Sequence, residues 1–331
     1  MVSNWIDLTE PVHVLRRLRR EPPLRRKLAA RLHLRPLSRV EAVWSQEQNP
    51  PIYWWDIPAV QSRWNKIISG DPTKNHYEYV AEKYLKGTGR LHGLSLGCGE
   101  GTKEVRWAET RVFTTIDAYD LSERRIQEAR AAIQGSGYAD VIRYHTGDAM
   151  RLSLDPGTCD VVLFEHSLHH MSPLEPFLIR VRELLKPGGL LIANEFVGPT
   201  RRQWTDRQIE VINGLLDVFP LRYKTTWGSR FARLPARRPS KLAMWLSDPS
   251  EAVQSSDILP LLRRHFDVVE TRGYGGAILH LLFAGISHHF VDPDETARRL
   301  LDISFQVEDL LLECGSVQHD FALVVCRKAP H

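Results

Sequence analysis

The stretch that decides the fold runs from Leu94 to Gly101 and reads Leu-Ser-Leu-Gly-Cys-Gly-Glu-Gly. It places three glycines at alternate positions directly after an apolar run, and an acidic residue, Asp120, ends the next apolar segment. Where a strand turns sharply into a helix, a ligand can approach bare backbone only if no Cβ is in the way. A carboxylate about twenty residues further on can accept the two hydroxyl hydrogens of a ribose. The pairing therefore predicts an enzyme that binds a nucleoside-bearing cofactor.

The order of the elements around this loop supports that prediction. Residues 91–96 read as a buried strand, 102–110 as a short helix, and 112–119 as a second strand that leads into Asp120. The glycines follow a Gly-x-Gly-x-Gly spacing, whereas a dinucleotide fingerprint has its third glycine one position later, for helix packing over a pyrophosphate. The spacing therefore favours a cofactor without phosphates.

At these residues the chain resembles the class I S-adenosylmethionine-dependent methyltransferases, whose first motif runs acidic-x-Gly-x-Gly-x-Gly. In that family the loop passes under the methionine part and the adenosine of the cofactor, and the acid ending strand 2 holds the ribose. The resemblance implies S-adenosyl-L-methionine as the cofactor, with these residues around it: Gly97, Cys98, Gly99, Gly101, Asp120, Leu121 and Glu165. One departure is that Ser95 stands where the family has an acid, two residues before the first glycine. The usual contact to the cofactor's amino group must then come from the serine hydroxyl, from water or from elsewhere.

Further matches follow in the order that the family predicts. A third strand ends at Asp148-Ala149, which resembles the step that contacts the adenine, and Asp148 would bind the adenine amino group. Strand 4 is the apolar run at residues 160–164. A helix then ends in the turn Lys186-Pro-Gly-Gly189, before strand 5 at residues 190–196. The resemblance is specific from about residue 87 to residue 196 and only topological beyond that.

The predicted fold is α/β: a Rossmann-like, mostly parallel sheet of seven strands with helices on both faces, a helical N-terminal extension, and insertions after strands 5 and 6. Residues 266–271 read as strand 6 and 320–327 as strand 7, which the family places antiparallel between strands 5 and 6. The predicted segments are a basic extension at 1–40, an aromatic-rich helical lid at 41–86, and a methyltransferase domain at 87–331, with a cofactor-binding core at 87–197 and acceptor-side insertions at 198–260 and 273–318.

Composition is that of a globular enzyme, because 331 residues with 43% hydrophobic and 25% charged content can bury a sizeable core. The four cysteines show no metal-ligand spacing, and we expect all of them to be reduced. No signal peptide is evident, and the longest apolar stretch, 277–286, is too short to span a membrane. These features predict a cytoplasmic location.

The first forty residues are strongly basic, with ten Lys and Arg against three acids, while the whole chain carries only +4. Leu24, Leu28 and Leu32 form an apolar stripe at helical spacing among the basic side chains. The segment could contact an anionic membrane surface, nucleic acid or an acidic partner. The alternative is a solvated helix or a frayed terminus, since a surplus of a few charges binds weakly and salt screens it.

The next segment, residues 41–86, is rich in aromatic side chains that could close over a cofactor, because aromatic faces stabilise a positively charged sulfonium and exclude water. Tyr77 is the candidate for contact with the cofactor and Trp55 for contact with the acceptor. The alternative is that these rings pack the extension onto the sheet. Asn49-Pro-Pro-Ile-Tyr53 superficially resembles the Asn-Pro-Pro-aromatic motif of nucleic-acid amino-methyltransferases, but its aromatic residue is displaced by one position.

Three histidines, His166, His169 and His170, follow strand 4 at the edge of the sheet where ligands bind in doubly wound folds. Methyl transfer needs an unprotonated nucleophile aligned opposite the sulfur leaving group, and a base with a pKa near neutrality assists a hydroxyl acceptor. We expect His169 or His170 to be this base and His166 to contact the acceptor. Packing and metal binding are the alternatives; no carboxylate-histidine motif surrounds the three, so we predict no metal site.

Glu195, at the end of strand 5, is the other catalytic candidate, because a carboxylate there could orient the acceptor or pair with a histidine. An ion pair with Arg201 or Arg202 is the alternative. The run Asp248-Pro-Ser-Glu251 has the spacing of a capping box, so it predicts the start of a helix and not part of the site. His280, in the second insertion, is a further candidate for contact with the acceptor.

The function predicted from the sequence is transfer of a methyl group from S-adenosyl-L-methionine to a small molecule, at a hydroxyl of a sugar, glycan or natural product. The acceptor class follows from a general likeness to methyltransferases of bacterial glycan or secondary-metabolite pathways. Methylation of RNA, DNA or protein is the first alternative, and a nucleic-acid substrate predicts binding that falls steeply with salt. A non-catalytic cofactor-binding module is the second. The sequence leaves the oligomeric state open.

Overall fold

The computed structural model describes residues 52–87 and 89–329. The predictions for the basic extension, for residues 41–51 of the lid and for most of the Asn49-Pro-Pro-Ile-Tyr53 run therefore lie outside the described residues. Accordingly, the proposed contact of the basic extension with a membrane or an acidic partner stays a prediction.

The centre of the fold is one seven-stranded sheet with the strand order β3-β2-β1-β4-β5-β7-β6. All neighbouring strands are parallel except β7, which is antiparallel to both β5 and β6. The predicted fold class and the placement of strand 7 are confirmed. The strands are β1 (Leu91–Leu96), β2 (Phe113–Asp120), β3 (Ile142–Thr146), β4 (Cys159–Glu165), β5 (Leu185–Phe196), β6 (Asp267–Gly273) and β7 (Phe321–Arg327).

Helices cover both faces of the sheet, as the prediction requires. One face is covered by α5 and α8, whose side chains join an apolar cluster with the ends of β1 and β4. The other face packs against α1, α3, α4, α9 and α10. The helices are α1 (Pro58–Ser69), α2 (His76–Val80), α3 (Thr102–Glu109), α4 (Glu123–Ile133), α5 (Leu174–Leu184), α6 (Asp206–Val218), α7 (Lys241–Ser247), α8 (Ile258–His265), α9 (Leu279–Phe283) and α10 (Glu295–Glu313).

Burial explains why the central strands are nearly continuous apolar runs. In β4 all but one residue are buried, and Val162 and Phe164 have no exposed surface at all. A parallel strand covered by helices on both faces cannot alternate between apolar and polar side chains. Parallel strands bring their carboxyl ends to one edge, so the loops after β1, β2, β4 and β5 converge there.

The Lys186-Pro-Gly-Gly189 segment differs from the predicted turn. The chain passes from α5 directly into β5 at Leu185, five residues earlier than predicted, and Leu185 pairs with Cys159 of β4. Gly188 has φ +75° and its N–H donates to the carbonyl of Lys328, at 3.1 Å. The glycines therefore form an irregularity within the strand that keeps it hydrogen-bonded to the chain after β7.

The predicted helix at Asp248-Pro-Ser-Glu251 is wrong. These residues follow the end of α7 and form a turn, and the next α-helix starts only at Ile258. The Asp248 carboxylate accepts the backbone N–H and the hydroxyl of Ser250, at 2.9 and 2.6 Å, which closes a tight local loop in place of a helix cap.

The four cysteines, Cys98, Cys159, Cys314 and Cys326, are unpaired thiols. Within residues 52–87 and 89–329, no helix is long and apolar enough to span a bilayer.

Candidate active site

The glycine loop between β1 and α3 is held by hydrogen bonds from β2. The N–H groups of Gly97 and Cys98 both donate to the carbonyl of Tyr119, at 2.8 and 3.1 Å. The Asp120 carboxylate accepts the N–H of Gly99 at 2.8 Å through one oxygen and that of Ser122 at 2.9 Å through the other. A carboxylate offers about four lone-pair sites, so Asp120 organises the loop and keeps acceptor capacity for a ligand.

Two glycines of the loop are required by space as well as by conformation. Gly97 has φ +82°, and a Cβ there would lie 2.7 Å from the Cβ of Ser167 in the loop after β4. Gly101 has φ +79°, and a Cβ there would overlap the Tyr144 ring. The Tyr144 hydroxyl donates to the Gly101 carbonyl at 2.7 Å. Both positions therefore require glycine, because no side chain fits there.

A cavity of about 1830 Å³ opens at this edge of the sheet. Three of the predicted site residues do not line this cavity: Ser95, Gly101 and Glu195. The predicted residues that do are Trp55, Tyr77, Gly97, Cys98, Gly99, Asp120, Leu121, Asp148, Ala149, Glu165, His166, His169, His170 and His280. Pockets for one small ligand commonly measure about 300–1,000 Å³, so the cavity has room for a cofactor and an acceptor together.

Ser95, expected beside the cofactor, instead lies beneath the glycine loop. Its hydroxyl donates to Oε1 of Glu104 at 2.6 Å, and both side chains are buried. Burial raises the pKa of Glu104 to about 7, against the opposing effect of the Ser95 hydrogen bond. Within the described residues no hydrogen-bond partner reaches the other oxygen, Oε2. An acid therefore stands close to the family's usual position, but it comes from α3.

Glu165, at the end of β4, is the centre of a polar network that the sequence did not reveal. Oε1 accepts the indole N–H of Trp107 at 3.0 Å and lies 3.1 Å from Nε2 of His76. Oε2 accepts the Asn194 amide at 3.0 Å, and Asn194 in turn accepts the Tyr274 hydroxyl. Burial disfavours ionisation of Glu165, but His76 and the amide outweigh it, so the pKa of Glu165 is lowered. The cavity wall therefore carries an ionised carboxylate.

Glu195 pairs with a histidine and not with Arg201 or Arg202. It is fully buried, its Oε1 accepts the N–H groups of Ser167 and Leu168 at 2.5 and 2.6 Å, and its Oε2 lies 2.7 Å from Nδ1 of His169. Burial alone would lower the pKa of His169, but Glu195 reverses this and the pKa is raised. One carboxylate therefore fixes the turn after β4 and the orientation of the His169 ring.

On the other side of His169, His170 contacts the turn at Asp248–Glu251. Nδ1 of His170 lies 3.2 Å from the hydroxyl of Ser250. Oε1 of Glu251 lies 3.8 Å from Nε2 of His169 and accepts two hydrogen bonds from Arg202, at 2.9 and 3.1 Å. The insertion after β5 thus contributes Glu251 and Arg202 to the site. No local sequence signal marks this contact, because about eighty residues separate the turn from the histidines.

The remaining predicted acceptor contacts are aromatic. The ring of His166 lies parallel to that of Trp55, with centroids 6.3 Å apart, and its backbone has φ +58°. His280 is stacked on Trp54 at 5.5 Å. Burial holds the pKa of His166 well below its usual value and that of His280 at about 3. Both rings are therefore neutral, and this wall of the cavity is largely uncharged.

Three features characterise the core of the fold: the strand order, the glycine loop and the acid Asp120 at the end of β2. Residues 94–193 match the family described as "Methyltransferase domain". The core of this chain is a class I methyltransferase domain. The matched residues extend from β1 into β5 and include the glycine loop, Asp120, Glu165 and the three histidines after β4.

Several curated methyltransferases are similar over this domain. A demethylmenaquinone methyltransferase of Leptospira interrogans is 27% identical over 142 residues, which is 43% of this chain and 56% of that protein. The ubiquinone biosynthesis O-methyltransferase of Roseobacter denitrificans is 34% identical over 104 residues, 31% of this chain and 40% of that protein. The 27-O-demethylrifamycin SV methyltransferase of Amycolatopsis mediterranei is 29% identical over 104 residues, 31% of this chain and 38% of that protein. The match spans about half or less of each relative.

Among solved structures, an S-adenosylmethionine-dependent methyltransferase from Mesorhizobium loti is 20% identical, with a TM-score of 0.43. The alignment covers 76% of this chain and 97% of that one.

Proposed function

We propose that this protein is a methyltransferase that uses S-adenosyl-L-methionine and methylates a hydroxyl of a small molecule. The observation that carries the proposal is the geometry at Asp120, which binds the N–H of Gly99 and still faces the cavity. A carboxylate beside bare loop backbone is suited to a ribose next to an uncharged part of a cofactor. The domain family supports the same reaction.

The loop residues fit this cofactor. Gly97 and Gly99 line the cavity without side chains, and a Cβ at Gly97 would collide with Ser167. We assign the ribose to Asp120 and the adenine amino group to Asp148, whose Oδ1 already accepts the N–H of Met150 at 3.0 Å. The bound cofactor supplies an electrophilic methyl group on a positively charged sulfur. The ionised Glu165 provides negative charge at the same cavity.

His169 is the residue that acts on the acceptor, and Glu195 positions it. With Nδ1 of His169 engaged by Glu195, the neutral ring carries its lone pair on Nε2. With the cofactor bound, Nε2 would accept the proton of the acceptor hydroxyl as the acceptor oxygen takes the methyl group that the cofactor would supply. Glu195 then stabilises the imidazolium, as a carboxylate does in other histidine pairs. The chain's own task is to position and deprotonate the hydroxyl.

The acceptor class rests on the cavity and the relatives. The cavity exceeds what one ligand needs, and the wall near Trp55 and His166 is aromatic and uncharged. The similar curated proteins are named for menaquinone, ubiquinone and rifamycin substrates. We therefore infer that the acceptor is a small molecule with a hydroxyl, of the sugar, glycan or natural-product class. The cytoplasmic location stays a prediction.

Calorimetry of the full chain with S-adenosyl-L-methionine and with NAD tests the cofactor. We expect binding of the first and none of the second. NAD binding without S-adenosyl-L-methionine binding overturns the proposal. Turnover is then tested with phenolic and sugar hydroxyl acceptors, and with RNA, DNA and protein as rival substrates. Methylation of RNA that falls steeply with salt would move the assignment to nucleic acid.

A further inference from the structure

The turn at Asp248–Glu251 brings a carboxylate to the two consecutive histidines of the candidate site. His169, His170 and Glu251 each offer one ligand atom, and these atoms all lie within 4.8 Å of one another. All three residues line the cavity. Two imidazoles and one carboxylate form a recurring ligand set for zinc and for other divalent first-row transition metal ions.

Both histidines have the outer contacts that orient metal ligands. Nδ1 of His169 faces Glu195 at 2.7 Å, and Nδ1 of His170 faces the Ser250 hydroxyl at 3.2 Å. The Ser250 hydroxyl donates to Asp248 at 2.6 Å, so it is an acceptor toward His170. In the neutral form of each ring, Nδ1 therefore carries the proton and Nε2 is the nitrogen that could bind a metal ion. A ligating histidine almost always donates its other N–H to such a partner.

The third candidate ligand, Glu251, is oriented by Arg202. Both hydrogen bonds from Arg202 go to Oε1 of Glu251 and hold the carboxylate in place, and Oε2 accepts neither of them. The positive charge of Arg202 opposes a cation, so affinity must come from the three ligands.

We propose that His169, His170 and Glu251 bind a divalent transition metal ion, and that this ion activates the acceptor hydroxyl. Three protein ligands leave coordination positions open toward the cavity, as in catalytic zinc sites. The ion would polarise the hydroxyl as a Lewis acid and lower its pKa, so that its proton would pass to solvent water in the open cavity before the oxygen takes the methyl group. The inference rests on the proposed function for the position of the acceptor, and it changes His169 from a free base into a metal ligand. It replaces the prediction of no metal site.

Calorimetry with Zn²⁺ alone tests the site on the full chain after dialysis against a chelator. We expect one site whose affinity falls in His170→Ala and in Glu251→Gln by more than the roughly 10- to 100-fold that loss of an outer partner costs. The matched control is His288→Ala, taken from the second consecutive pair, His288-His289, in the turn Ser287–His289. This control should leave affinity unchanged. Absence of Zn²⁺ binding in the unsubstituted protein overturns the proposal, whatever the variants do.

Methyl transfer provides the second readout. Chelator-treated protein should lose turnover and regain it with Zn²⁺ or Mn²⁺, whereas turnover that survives chelation overturns the role of the ion. Binding of S-adenosyl-L-methionine separates the two proposals. If the cofactor binds and Zn²⁺ does not, the metal inference alone fails; if Zn²⁺ binds and the cofactor does not, the proposed function fails.

Discussion

The two halves of the candidate site are built in different ways. The cofactor half, after β1, β2 and β3, consists of backbone and carboxylates that lie close together in sequence, such as Gly99 and Asp120. The acceptor half joins His169 to Glu195 and Glu251, from two later segments of the chain. Local contacts leave a motif in the sequence, whereas contacts between distant segments leave none. The cofactor could therefore be inferred from the sequence, and the acceptor could not.

The largest expected effect is in the cofactor half. Asp120→Ala should weaken binding of S-adenosyl-L-methionine by about 3–6 kcal/mol, or roughly 150- to 25,000-fold, because two hydrogen bonds to a charged group are lost. Calorimetry measures this change. The control is Asp267→Ala, an exposed aspartate at the start of β6, on the opposite edge of the sheet. Similar weakening by both substitutions would refute a ribose contact at Asp120.

In the acceptor half, His169→Ala should lower kcat by roughly 10²–10⁴ and leave cofactor affinity unchanged. Steady-state kinetics with calorimetry separates these two quantities. His170→Ala then distinguishes the two roles of His169: a free base predicts a small effect of this substitution, and a metal ligand predicts a loss of similar size. A fall in cofactor affinity in His169→Ala would contradict the division of the site into two halves.

Glu104→Gln tests the acid beneath the glycine loop. The pKa of Glu104 is raised from 4.5 to about 7 by burial, so the folded state holds this proton more tightly than the unfolded state. The stability that this gives is present below pH 4.5 and is lost as the pH rises through 7. Relative to the Glu104→Gln variant, the free energy of unfolding of the native protein should therefore fall by about 3 kcal/mol between about pH 4 and 8.

Denaturant unfolding across this pH range measures that difference. The matched control is Glu109→Gln, an exposed residue of the same helix, which should show almost no pH-dependent change. A pH-independent effect of Glu104→Gln would mean that Glu104 is ionised beneath the loop.

The smallest effect concerns the loop backbone. Gly101→Ala should destabilise the protein by about 1–3 kcal/mol, because the residue has a positive φ and Tyr144 occupies the space of a Cβ. Gly214→Ala is the control, since Gly214 lies inside α6 with open space around the position of a Cβ. This change should stabilise by about 0.5–1 kcal/mol. Equal effects at both glycines, measured by thermal unfolding, would show that the loop has no special requirement at Gly101.

The sequence predicted the sheet well because its signals are local. The runs at 91–96 and 160–164 coincide with β1 and β4 within one residue at either end, since continuous burial on both faces leaves a continuous apolar run. The placement of β7, antiparallel between β5 and β6, also followed from the family resemblance. The start of β5 was missed because Pro and Gly in 186–189 indicate a turn even where the chain stays paired.

The candidate site was predictable only in part, for a related reason. Asp120 ends β2 and the three histidines follow β4, so the sequence predicted their place at the edge of the sheet where ligands bind. Glu251 was assigned to a helix cap because its spacing satisfies a local rule, while the contact that decides its role comes from His169. Likewise, Ser95 revealed that an acid was missing, but nothing in the pattern indicated that Glu104 would lie against it. Side-chain partners from separate segments need the fold itself.

Asn194 and Glu195 are neighbours in β5, yet Asn194 binds Glu165 and Glu195 binds the turn that carries His169. Successive side chains of a strand point to opposite faces. A deletion of one residue before Asn194 would therefore place the Glu195 carboxylate against Glu165, and an insertion of one residue there would place the Asn194 amide at the position that faces His169. We therefore expect that functional variants carry no insertion or deletion within 190–196. Substitutions that keep each side chain on its face of the strand should be tolerated.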